Sequence, residues 1–122
     1  MAVTVSDLKE RIKQHNYMVL TDGDDAIGER SIETARTWLM ARLTEIGFEF
    51  PFDETDQVIR EIIINRSLYE LYAYAEQETV ANDKKQNARE LIEGYISRYA
   101  GSEQGKANNL PAISVTKQKR VI

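Results

Sequence analysis

The chain has 122 residues, 42% of them hydrophobic, and a formal net charge of −4, the size of one domain with enough apolar side chains for a single core. It has no cysteine and one histidine, His15, which excludes disulfide scaffolds and thiolate metal sites and leaves His15 as a surface residue without a nucleophile to serve. No apolar stretch approaches the roughly 20 residues of a membrane span, and Met1-Ala2-Val3-Thr4-Val5-Ser6-Asp7 lacks the basic and apolar regions of a signal peptide; a soluble protein made in a cytoplasm, with no cofactor, is expected.

A first helix is expected over about residues 6–14, capped by Thr4 or Ser6, with Asp7 in the first turn where the helix dipole favours a carboxylate. Val5, Leu8 and Ile12 give it a thin apolar stripe. Tyr17-Met18-Val19-Leu20 is an apolar run too short to assign by periodicity, and the acidic loop Thr21-Asp22-Gly23-Asp24-Asp25 follows. Ser31 is the expected cap of a second helix in which Ile32, Ala35, Leu39, Leu43 and Ile46 recur at helical spacing, with Gly47 as its stop. Trp38, beside that stripe, reads first as core and second as an interface anchor.

Phe48-Glu49-Phe50-Pro51-Phe52 alternates aromatic rings around a proline that extends the backbone before it, a hinge between helices. Asp53 is the expected cap of a long central helix reaching about residue 78, polar early through Gln57, Glu61 and Asn65 and apolar almost all round from Leu68 to Ala75. Arg66 falls inside its apolar face, among Ile59, Ile62, Ile63, Tyr69 and Ala73. A guanidinium there needs partners, because breaking up a buried charge pair costs about 3–5 kcal/mol; Asp22, Asp24, Asp25 and Glu33 are the expected suppliers. Asn82 or Asp83 begins the last helix, where Ala88, Leu91, Ile92, Tyr95, Ile96 and Tyr99 repeat at helical spacing up to Gly101.

The end of the chain differs in charge. Residues 103–122 hold Lys106, Lys117, Lys119 and Arg120 against Glu103, a local +3 that leaves −7 on residues 1–102. An acidic body is a poor surface for duplex DNA, whose affinity comes from cations displacing counterions. Ile113 and Val115 alternate with polar residues as in a strand, and a strand without a partner in its own chain pairs with another chain. The expected division is a helical domain over residues 1–101 and a linker with an extended, flexible C-terminal arm over 102–122.

The succession of these parts resembles the Mu-like head–tail connector family of tailed bacteriophages. The matching residues are Leu20-Thr21-Asp22-Gly23-Asp24-Asp25-Ala26-Ile27, then Ile32, Ala35 and Ala41-Arg42-Leu43, then Phe50-Pro51, then Ile62-Ile63, Arg66 and Leu71-Tyr72, then Lys84-Lys85, Ala88, Leu91 and Ile92. The likeness covers about residues 4–101 and lies in order and spacing. The family's acidic loop often looks like a calcium loop, but here Ala26 stands at the third ligand position and Ile27 at the place of the central glycine, so the loop is read as a turn that caps the next helix or pairs with Arg66, with no metal.

The resemblance implies an all-α bundle of about four main helices around a long central one. It implies a non-enzymatic structural part, a monomer in solution that forms a homo-oligomeric ring under the portal protein and meets the next neck or tail protein. Its place is then the virion neck, after assembly in the bacterial host cytoplasm, with no membrane and no specific nucleic acid as partner. Leu110, Ile113 and Val115 are expected to bury apolar surface in a partner, Lys117, Lys119 and Arg120 to meet acidic groups, and Asp24 and Asp25 to form a second contact surface. The rival readings are a small helical DNA-binding regulator, against which the second helix sets Glu33 and Glu45 beside Arg36 and Arg42, and a generic protein-interaction module.

Overall fold

The computed structural model of the chain describes residues 2–47 and 53–100, and these are all-helical. The expected aromatic hinge at 48–52 and the arm at 102–122 lie outside the described residues. Five helices follow in order: α1 (Val5–Arg11), α2 (Gln14–Thr21), α3 (Asp25–Thr44), α4 (Gln57–Tyr74) and α5 (Glu78–Ala100). α4 is the central element, packed between α3 and α5 and touched by α1 and α2 as well.

The helix starts obey local chemistry, and three of them fall elsewhere than the sequence suggests. Thr4 caps α1, its backbone N–H donating to the Asp7 carboxylate at 2.8 Å. The run at Tyr17 lies in α2 with Tyr17 and Leu20 buried and Met18 and Val19 exposed, and the helix is closed by Asp22 in the left-handed conformation at φ 54°. Aspartate tolerates that conformation better than most residues, and Gly23 follows at φ 75°. α3 starts at Asp24, whose side chain accepts from the Ala26 N–H at 2.9 Å. Ser31, expected as the cap, is instead buried within the helix and returns its hydroxyl to the Gly28 carbonyl at 2.7 Å. Gly47 does end the segment, at φ 82°.

Asp56, not Asp53, caps α4, accepting from Val58 N–H at 2.8 Å; Asp53 accepts from the Thr55 N–H in the turn before it. α4 ends at Tyr74, short of the expected residue 78. α5 begins at Glu78, four residues before the expected Asn82, so Ala81 joins the core. The apolar stripes land where periodicity places them: Ile32, Ala35, Leu39 and Leu43 of α3, Ile59, Ile62, Ile63, Leu68 and Leu71 of α4, and Ala88 and Ile92 of α5 are all buried. Ala73 and Tyr74 are exposed, so the apolar end of α4 is not covered all round. Asn65, expected on a polar face, is buried and donates its amide to the Glu61 carbonyl at 2.8 Å.

Polar contacts that no local pattern announces tie α1 and the residue Val3 before it to the rest. Arg60 donates to Asp7 at 2.9 Å, and Arg11 forms a two-point fork with Glu61. Arg36 of α3 pairs with Glu33 and with Glu54 (Nε to Oε2, 2.8 Å) and donates to the Val3 carbonyl at 2.8 Å, while Glu54 accepts from the Val3 N–H at 2.9 Å. Burial pushes the Glu54 carboxyl up, but the Arg36 hydrogen bond and the Val3 amide outweigh it and hold it below the usual value. Folding therefore favours ionised Glu54. Its contribution is complete above the ordinary carboxylate range, near pH ~4.3, and is lost as pH falls through the lower folded-state value. Glu54→Gln is expected to melt lower than wild type at neutral pH and to lose less stability on acidification; equal acid slopes in thermal melts would remove Glu54 from this account.

Candidate functional site

Two polar surfaces stand out from the helical body. The first is the corner joining α2 to α3. Asp24 is occupied as a cap, and Asp25 accepts from the Tyr17 hydroxyl at 2.9 Å and pairs with Lys9 at 3.3 Å. Tyr17 is 1% exposed. Burial raises its hydroxyl pKa and the bond to Asp25 raises it further, while the same bond and Lys9 hold Asp25 below the ordinary carboxylate value. The Lys9 ammonium also lies 5.4 Å from the Tyr17 ring centre, a cation–π distance. Asp22, Asp24, Asp25 and Glu29 are all exposed around this node.

The second surface is a cleft of about 340 Å³ between α3, α4 and α5, lined by Trp38, Arg42, Arg66, Lys85, Arg89, Ile92 and Glu93. Arg66 is its floor. The guanidinium carbon lies 4.4 Å from the Trp38 ring centre and 4.5 Å from that of Tyr69, held between two π faces. Its carboxylate partner is Glu70, one turn on in α4, at 3.6 Å, and Nε is buried without a hydrogen-bond acceptor among the described residues. Burial lowers the Arg66 pKa against the pull of Glu70. The expected pairing of Arg66 with the Asp22–Asp25 loop or Glu33 is thus not what the chain does: aromatic rings take the place of distant carboxylates, Asp24 and Asp25 are engaged by their own corner, and Glu33 pairs with Arg36. Trp38 is partly buried against the core.

Among the site residues expected from sequence, Asp24 and Asp25 come together at the corner, whereas Leu110, Ile113, Val115, Lys117, Lys119 and Arg120 lie outside the described residues. The cleft was missed. Its signal is present in the spacing, since Trp38 with Arg42 and Lys85 with Arg89 are i, i+4 pairs that share a helix face. What spacing does not give is that α4 brings Arg66 between those two faces.

Among the described residues no group of three or more His, Cys, Asp or Glu side chains could hold a metal ion, and no helix is long and apolar enough to cross a membrane. Among the described residues the two surfaces offer charged groups and aromatic faces side by side. Compared with family models, curated proteins and solved structures, the chain finds no match in any of the three.

Proposed function

We propose that this protein is a head–tail connector subunit of a tailed bacteriophage, a non-enzymatic part that assembles as a ring beneath the portal and joins the DNA-filled head to the next neck or tail protein. The observation that carries the reading is the order of parts along the chain. The Leu20–Ile27 segment forms the tight joint between α2 and α3, the paired Leu71 and Tyr72 are buried near the end of α4, and Lys84 and Lys85 stand in α5 ahead of its buried Ala88 and Ile92. In this role the chain is a monomer before docking, its work is done in the virion neck, and the basic segment 103–122 reaches the portal or an adjacent subunit.

The test is cosedimentation of the purified full chain, and of a chain ending at Ser102, with DNA-filled tailless heads of the phage that encodes it. The full chain is expected to travel with the heads and the shortened one to stay behind, with equal helicity and melting temperature. If neither form binds while both are folded, the connector role is wrong and a generic interaction module takes its place. A large loss of stability on shortening would assign the segment to the protein's own core.

A further inference from the structure

The cleft over Arg66 collects four cationic side chains, Arg42, Arg66, Lys85 and Arg89, against one lining carboxylate, Glu93, on a protein whose net charge is −4. Arg42 has an exposed partner in Glu45 at 3.5 Å, and Arg66 has Glu70. Lys85 and Arg89 meet no carboxylate within 4.0 Å among the described residues, and the other contact of Lys85 is the Tyr69 ring at 5.7 Å. Like charges gathered without compensation repel one another and raise affinity for an anion. The cleft is short and residues 1–102 carry −7 overall, which suits a compact group of carboxylates better than an extended phosphate backbone that needs a long basic track.

The same chain exposes such a group. Asp22, Asp24, Asp25 and Glu29 crowd the start of α3, where Lys9 on Asp25 is their one ion pair within 4.0 Å among the described residues, while Trp38 and Arg42 belong to the far half of that helix. Thirteen helical steps without a break lead from Asp25 to Trp38, about 20 Å at 1.5 Å per residue. One rigid element thus holds the two surfaces apart, and they can meet only between copies. We propose that the Arg42–Arg66–Lys85–Arg89 cleft receives the Asp22–Glu29 corner of a second copy of this chain. Such a contact joins two different patches, the head-to-tail type that propagates into a ring or a filament. It deepens the connector reading and rests on it only for closure into a ring.

The experiment is sedimentation velocity of the full chain at low and high salt, with two variants. Lys85→Glu/Arg89→Glu reverses the cleft at partly buried and exposed positions; Asp22→Asn/Glu29→Gln removes two of the corner's four carboxylates while keeping Asp24 as cap and Asp25 on Tyr17. Wild type is expected to be a monomer at physiological salt, as docking from the monomer requires, and to associate into species larger than dimers when the salt is lowered and screening falls. Each variant alone is expected to lose association, and their mixture to regain it as a 1:1 pair and no further, because only one intact cleft and one intact corner remain. Wild type that is monomeric throughout, or variants that associate as wild type does, overturn the proposal. So does salt-dependent binding of a duplex or single-stranded oligonucleotide that the cleft variant alone loses, since the cleft is then a phosphate site. No heads enter this measurement: its failure leaves head binding standing, and charge-dependent association without head binding sinks the connector role instead.

Discussion

Arg66→Ala is expected to destabilise the protein by about 3 kcal/mol, whereas Arg66→Met stays within about 1 kcal/mol of wild type. The arginine is a spacer as much as a charge. Truncation empties the gap between Trp38 and Tyr69 and forfeits two desolvated cation–π contacts, each worth up to about 2 kcal/mol when water is excluded, together with the packing of the aliphatic stem. Methionine refills the volume and makes sulfur–aromatic contacts. It also relieves the cost of burying a guanidinium whose Nε lacks an acceptor among the described residues, and exchanging a buried charge for a well-packed apolar side chain is commonly neutral or favourable. Trp38 is the single tryptophan of the chain, so its fluorescence reports the stack directly. A red shift in the alanine variant and little change in the methionine variant are expected alongside the chemical melts. If methionine costs as much as alanine, the pairing with Glu70 rather than packing holds the stack.

Gly28→Ala is expected to destabilise by about 2 kcal/mol, against the sign that helix propensity assigns to it. Alanine in a helix interior is favoured over glycine by about 1 kcal/mol, and α3 is helical on both sides of Gly28. A Cβ at this position, however, falls 2.6 Å from the Tyr17 hydroxyl and 3.2 Å from Val5 Cγ2. The Tyr17 ring is buried and cannot swing aside. Overpacking of this kind costs about 1–3 kcal/mol, and pushing the hydroxyl off Asp25 breaks a hydrogen bond to a charged group, worth about 1.5–3 kcal/mol. In a domain of this size the net loss lowers Tm by roughly 10 °C. Tyr17→Phe removes the obstructing oxygen, so the double variant is expected to recover most of the deficit that remains after the hydroxyl's own loss. A stabilised Gly28→Ala protein would show that α2 yields to the methyl group.

These two sites mark the boundary of what the sequence discloses. Periodicity is a property of one helix, and it located the cores of α3, α4 and α5 because each stripe faces its neighbour whatever that neighbour is. Helix starts were harder. Ser31 and Asp53 have the chemistry of a cap but lose to Asp24 and Asp56, which already engage the backbone amides of the next turn. The short α2 shows no period in Tyr17-Met18-Val19-Leu20, because it buries Tyr17, Leu20 and Thr21 while Met18 and Val19 remain about half exposed. Arg66 was legible as an anomaly inside an apolar face. Its solution was not, since Trp38 and Tyr69 are not paired by any spacing within one helix. The Arg36–Glu54–Val3 node was invisible for the same reason: its members lie 18 and 33 residues from Arg36.

α3 also has a mechanical meaning. Its 20 residues make a strut of about 30 Å, with no proline and with its one internal glycine wedged against Tyr17, so the causes that ordinarily bend a helix are missing or blocked. A load applied at the Asp24–Asp25 end has no joint along the strut at which to dissipate. It is delivered to the far half, where Trp38 leans on Arg66 and through it on the central helix, so that a push on one corner of the molecule becomes compression of its core.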